Sequence, residues 1–184
     1  MTEVTAGLSH AILSCRDLPR MLDFYVDELG FTVTDRGDLG DALGGGEVAF
    51  LALDPSAAHH NLGLLSGRDA DSTESALNHL AFQLPDLSAW RKKVEAVERS
   101  SSATQVGHIN HCISWSMYLC DPEGNRIEFF VLTPFYVPQP IFDKLDISLS
   151  NEEIIRTTED AYRDRPGFKP MDDWKASWQT AAAQ

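Results

Sequence analysis

Three polar side chains occupy apolar surroundings in this chain: His10 in LSHAILS, His79 in LNHLAFQL and Glu128 in RIEFFVL. A carboxylate in such a run is costly unless it is paired, exposed or bound to a metal. Either histidine alone reads as an ordinary structural residue, but their contexts repeat. Leu8-Ser9-His10 is echoed by Leu77-Asn78-His79. Asp17-Leu18 follows the first histidine at the same interval as Asp86-Leu87 follows the second. Two histidines in matching strands and a glutamate on a later strand make an N, N, O donor set. That set accepts Fe(II), Mn(II), Zn(II), Co(II) or Ni(II). With coordination positions left open it favours iron or manganese.

Other side chains offer proton chemistry. His59-His60 opens HHNLGLL, and one of the pair is a candidate general acid or base, because imidazole titrates near neutrality. The plainer reading is a surface pair at a strand edge. Tyr118 precedes Glu128 by ten residues across a predicted hairpin. It is either ordinary aromatic packing or a phenol aimed at a ligand oxygen, where it would stabilise negative charge. His111, in HINHC, closes a pocket or stands in solvent; His108 has less in its favour. Gly44-Gly45-Gly46 is followed by no lysine and is no phosphate cradle. No GxSxG motif occurs, and no basic-aromatic stripe suits nucleic acid.

The elements that must position these groups follow from the pattern. Leu8 to Cys15 reads as a strand with His10, Ile12 and Ser14 on one face. Asp17 caps a helix that opens at Leu18-Pro19 and stops at Gly30. Phe31 to Thr34, Glu47 to Leu53 and His60 to Leu65 are strands. Between the first two, Asp35 to Gly46 holds five glycines and reads as a mobile turn region. After a polar linker, Gly67 to Ser75, the pattern restarts. Leu77 to Leu84 is a strand, Asp86 caps a helix through Trp90, Val94 and Val97, and Thr104 to Val106 is a short strand. His108 to Cys112 is a polar connection. Ile113 to Cys120 and Arg126 to Leu132 form a hairpin about the turn Asp121-Pro122-Glu123-Gly124.

The fold class expected is therefore α+β: two βαβββ modules, about 7–66 and 77–133, paired about a pseudo-twofold axis in a domain of residues 1–133. Residues 134–184 form a C-terminal arm that packs on the domain or on a neighbouring subunit. Pro134, Pro138 and Pro140 preclude regular structure at its start. Ser150 and Glu153 make a capping box for a short helix with Ile154, Ile155 and Thr158 on its buried side. Asp172 or Asp173 starts a last helix carrying Trp174 and Trp178.

Composition bounds the rest. The chain has 184 residues, 43% of them hydrophobic, and a net charge of −13. That charge argues against nucleic acid and anionic membranes as partners. No apolar run approaches the length of a membrane span. Cys15, Cys112 and Cys120 form no CxxC pair, and Met1 to Gly7 is short and polar. A reduced, cytoplasmic protein is expected.

The segments LSHAILSCRDLPRMLDFYVDELGF, HHNLGLL, LNHLAFQLPDL and HINHCISWSMYLCDPEGNRIEFF together resemble the vicinal oxygen chelate superfamily. Within it they are similar to the small, single-domain extradiol ring-cleaving dioxygenases of catechol or biphenyl-2,3-diol type. The resemblance covers about residues 7 to 133. It implies a metal site inside the curved sheet, with His10, His79 and Glu128 holding Fe(II), or alternatively Mn(II). It implies His60 as the acid/base, Tyr118 as a hydrogen-bond donor to the substrate oxygen and His111 as a pocket histidine. The implied substrates are a small aromatic diol and O2, and the implied assembly is a homo-oligomer, dimeric or larger. Trp115 stands where a histidine is common in this subgroup; a pocket-facing Trp115 would imply an unusual substrate. Glyoxalase-like lyases, isomerases, thiol transferases and metal-free binding proteins share the superfamily motifs and are the alternatives.

Overall fold

A computed structural model describes residues 9–38, 45–69, 77–100 and 102–182, with side chains through 177. Residues 1–8, residues 39–44 of the glycine-rich turn, 70–76 of the linker and the Trp178 side chain lie outside the described residues. The chain divides into two compact units. One comprises Met1–Ala76 with Asp121–Gly124, the other Leu77–Cys120 with Asn125–Gln184.

In the first unit, β1 (Ala11–Cys15) buries Leu13 and Cys15 and leaves Ile12 and Ser14 exposed, as period-two alternation requires. Asp17 caps α1 (Leu18–Asp23), accepting from the Arg20 amide at 3.1 Å. The helix continues as one wide π turn, Phe24–Glu28. It ends at Gly30, whose φ of +74° is readily adopted only without a side chain. Strands β2 (Thr32–Asp38), β3 (Glu47–Ala52) and β4 (Leu62–Ser66) complete a sheet in the order β1-β4-β3-β2, with β1 and β4 parallel. Met21, Phe24, Tyr25 and Leu29 are essentially fully buried. Each such side chain contributes roughly 1.5–3 kcal/mol of apolar transfer. The Asp121–Gly124 turn belongs to this unit. Its Asp121 accepts from the buried Tyr25 hydroxyl at 3.1 Å, and Glu123 Oε1 accepts the Arg16 and Asp17 amides at 2.6 and 2.9 Å.

The second unit repeats the plan: β5 (Leu80–Gln83), α2 (Leu87–Glu98), β6 (Thr104–Asn110), β7 (Ser114–Cys120) and β8 (Arg126–Leu132). Asp86 caps α2 through the Ala89 amide at 2.8 Å. Trp90 is fully buried and its indole N–H donates to the Phe129 carbonyl at 2.8 Å, which ties α2 to β8. Two short strands from the following segment, β9 (Phe135–Tyr136) and β10 (Asp143–Lys144), precede α3 (Asn151–Tyr162). The sheet order is β10-β6-β7-β8-β5, so β10 extends it beyond β6. The Ser150–Glu153 capping box of α3 is present in both directions. Two-residue β11 (Lys169–Pro170) pairs with β9, and α4 (Met171–Ala182) follows. Residues 134–182 thus pack on the second unit, around a small core of Cys112, Phe135, Val137, Ile141 and Tyr162. Trp174 stacks on Tyr136 with ring centroids 5.1 Å apart.

Several boundaries differ from the sequence expectation. β2 runs on through Asp35, Arg36 and Gly37 to Asp38, because pairing with β3 overrides the weak strand propensity of those residues. β6 extends to Asn110, so His108 lies in a strand, held by β7 on one side and β10 on the other. β5 is shorter than expected and β4 begins at Leu62. His10, His60 and His79 therefore stand just before strands rather than in them. The prolines after Thr133 admit the two-residue β9 but no longer element.

Candidate metal centre

In the second unit the ladders converge on Glu128. The β7–β8 register sets Tyr118 opposite Glu128, and the parallel β5–β8 register sets Ala81 beside it. His79, two residues before Ala81, reaches the same carboxylate: His79 Nε2 lies 3.2 Å from Glu128 Oε2. The other ring nitrogen, Nδ1, is 2.8 Å from Asn78 Oδ1. An amide oxygen only accepts, so Nδ1 carries the proton there and, in the neutral ring, Nε2 presents a lone pair. A lone pair and a carboxylate oxygen at 3.2 Å repel unless a proton or a cation joins them. Glu128 is only 7% exposed, so water does little to relieve that repulsion. This donor set fits a divalent metal ion.

Tyr118 stands edge-on to His79, with ring centroids 5.7 Å apart. Its hydroxyl lies 3.2 Å from His111 Nε2. His111 Nδ1 faces the Ile141 carbonyl, so in the neutral ring Nε2 accepts the phenol proton. Burial, followed by the Glu128 charge, pushes the Tyr118 phenol well above its ordinary range, which keeps it protonated. Gln139 Nε2 donates to the His111 carbonyl at 2.9 Å and fixes the loop from the other side. A cavity of about 430 Å³ opens here, lined by His79, Tyr118, Ile109, Arg126 and Phe142 among others. Phe142 is 71% exposed and its ring lies 5.2 Å from that of His111. Trp115 is on the other face of β7, 2% exposed, with its indole N–H donating to Thr158 Oγ1 at 2.9 Å. It packs under α3 and does not line this cavity. His108 is also elsewhere, edge-on to Trp90 and 4.0 Å from Glu98.

In the first unit His10 and His60 lie together, with ring centroids 4.3 Å apart. Phe50 stands 4.8 Å from the His60 ring. His60 Nδ1 is 2.9 Å from His59 Nδ1, and His59 Nε2 is 2.8 Å from Asp35 Oδ2. His60 is held below the usual imidazole value, by desolvation first and then by His10 and His59. Ser9 Oγ lies 3.4 Å from His10 Nδ1, the counterpart of the Asn78–His79 contact. Within each unit, no three His, Cys, Asp or Glu side chains among the described residues form a metal-holding group. His79 and Glu128 belong to the second unit and His10 to the first.

Asn78, Asp35 and Phe142 are site neighbours that sequence reasoning missed. For Asn78 a signal existed: each repeated histidine follows a polar residue able to accept from Nδ1.

The family model described as the Glyoxalase/Bleomycin resistance protein/Dioxygenase superfamily matches residues 7–129. The chain belongs to this superfamily. Among superfamily relatives, catechol-2,3-dioxygenase of Bacillus subtilis (strain 168) is 33% identical over 132 residues, which is 69% of this chain and 42% of that protein. The chain thus spans less than half the length of that relative. Lactoylglutathione lyase of Pseudomonas putida is 26% identical over 153 residues, covering 68% of this chain and 85% of the lyase. The solved glyoxylase/bleomycin resistance protein/dioxygenase domain from Frankia sp. EAN1pec superposes with a TM-score of 0.56 at 20% identity, over 70% of this chain and 99% of that one. The superfamily fold is therefore present. No helix among the described residues is long and apolar enough to cross a membrane.

Proposed function

We propose that the chain is an extradiol ring-cleaving dioxygenase, with His10, His79 and Glu128 as ligands to Fe(II) and a catecholic diol as substrate. The observation that carries this reading is the Tyr118 hydroxyl beside the His79–Glu128 pair, held by His111 at the mouth of a partly apolar cavity. The 33% identity to a catechol-2,3-dioxygenase points the same way.

When bound, Fe(II) supplies the electron path that lets a catechol and O2 react. The chain's own groups supply the rest. His60, beside the ligand His10, takes a proton from the diol and returns it during ring cleavage. Tyr118 donates its hydroxyl proton toward substrate oxygen as negative charge develops there, turning from His111 Nε2 to do so. His111 keeps the phenol aimed, because its own Nδ1 is tied to the Ile141 carbonyl. Ile109 and the ring of Phe142 give the diol an apolar wall and keep water from it.

The test is anaerobic reconstitution with Fe(II), addition of catechol or 2,3-dihydroxybiphenyl, then admission of O2. Uptake of one O2 per diol with a yellow ring-fission product is expected. Bound metal with no uptake on any diol would overturn the reading. The P. putida lyase similarity makes a glyoxalase-like lyase the second reading. Glyoxalase I ordinarily adds a second glutamate ligand, whereas the groups beside His60 are His10, His59 and Phe50. Turnover of a methylglyoxal–glutathione hemithioacetal in the same preparation separates the two.

A further inference from the structure

His60 is the outer end of a hydrogen-bonded chain, Asp35 Oδ2 to His59 Nε2 (2.8 Å), then His59 Nδ1 to His60 Nδ1 (2.9 Å). The donors along it follow from chemistry. A carboxylate only accepts, so His59 Nε2 carries a proton. In the neutral ring His59 Nδ1 is then an acceptor, and the proton between the two histidines must sit on His60 Nδ1. That leaves His60 Nε2 unprotonated, the form that can take up a proton.

The fold sets up this chain in two ways. A bulge at Thr34 shifts the β2–β3 register between Val33 and Asp35, so that Asp35 falls opposite Phe50. A bulge re-aims the residues beside it. Phe50 then walls both imidazoles, with centroids 5.9 Å from His59 and 4.8 Å from His60.

We propose that Asp35 and His59 are positioning residues that hold His60 in its Nδ1-protonated tautomer, with Nε2 free as the proton acceptor. This rests on the acid/base role given to His60 above, but the tautomer can be read without any turnover. Asp35 and His59 side chains are 71% and 56% exposed, so their substitution leaves the core intact and their energetic weight is modest.

The experiment is long-range 1H–15N correlation on the 15N-histidine-labelled full chain, metal-free and in mildly alkaline buffer, with the His60 ring assigned through His60→Gln. The wild-type ring is expected in the Nδ1–H form. His59→Phe removes the acceptor and should release it to the Nε2–H form. His59→Asn, whose amide oxygen can take the place of Nδ1, should restore Nδ1–H. Asp35→Ala should give a mixture of tautomers and, with Fe(II) and catechol, lower kcat about two- to fivefold with KM unchanged. A wild-type His60 in the Nε2–H form, or a His59→Phe spectrum identical to wild type, overturns the proposal. The expected tautomers in a chain that cleaves no diol would leave this inference standing and remove the dioxygenase reading instead.

Discussion

Asn78→Ala tests whether the His79–Glu128 pair is built for a metal. The substitution removes the amide oxygen that lies 2.8 Å from His79 Nδ1, while leaving Nε2 and Glu128 in place. Without it the ring gains rotational freedom, and its neutral form gains access to the tautomer that blocks Nε2 with a proton. Loss of an outer partner of a metal-binding histidine costs about 10- to 100-fold in affinity. His79 is 35% exposed, so water can replace the amide in part, and one neutral hydrogen bond is worth about 0.5–1.5 kcal/mol. The lower end should hold: about tenfold, or about 1.4 kcal/mol. Anaerobic titration of Fe(II), or of Co(II) followed by its visible bands, against a competing chelator measures it. Asn78→Asp keeps an acceptor and should bind at least as tightly as wild type. The reasoning fails if Asn78→Ala binds like wild type while His79→Ala loses the metal, or if His79→Ala changes nothing.

Two further outcomes follow from the packing. Thr158 is 1% exposed, and its hydroxyl oxygen receives both Asn110 Nδ2 and Trp115 Nε1 at 2.9 Å. Thr158→Val leaves two buried donors unpaired and should cost about 2–4 kcal/mol in urea unfolding; a loss under about 0.5 kcal/mol would mean that α3 is not docked through this oxygen. Tyr25, Tyr118 and Tyr162 all hold their protons above the ordinary phenol value of 10.0, with burial the first cause in each. The folded chain keeps protons that the unfolded chain surrenders, so this contribution is complete below about pH 10 and is lost as pH rises toward the folded values. Urea midpoints should therefore fall in that alkaline window, and less steeply in Tyr25→Phe; a midpoint that does not change there would refute the assignment.

What the sequence disclosed follows a physical line. The two modules were legible because each begins with an apolar strand, a histidine and a capping aspartate, and because apolar alternation in β7 and β8 is strong. Tyr118 opposite Glu128 followed from the tight turn at Asp121–Gly124 between them. The polar strands were not legible. Arg36, Gly37, Asp38, Gly107 and Asn110 have little intrinsic preference for extended structure, and their pairing is settled by neighbours far along the chain. Asp35 was lost for the same reason. It lies in what reads as a glycine-rich turn, and only a register shift, invisible in a string of letters, aims it at His59. Trp115 shows the opposite limit. Only a pocket-facing Trp115 would imply an unusual substrate, and it is a hydrogen-bonded packing residue under α3.

The pairing of β10 with β6 has a consequence for strand-edge aggregation. A strand at the border of a sheet offers unpaired amides and carbonyls that will accept any passing strand. In the first unit one such border is β2, and it is protected by a bulge and by the charges of Asp35, Arg36 and Asp38. In the second unit β6 has a bulge too, but its exposed Val106 and few charges are weaker protection. Asp143 and Lys144 cover its Ile109–Asn110 end instead. Cutting the chain before Asp143 would uncover that end, inviting strand-by-strand polymerisation of an otherwise complete sheet. The last quarter of the chain thus shields one end of this strand border as well as giving the cavity the Phe142 wall.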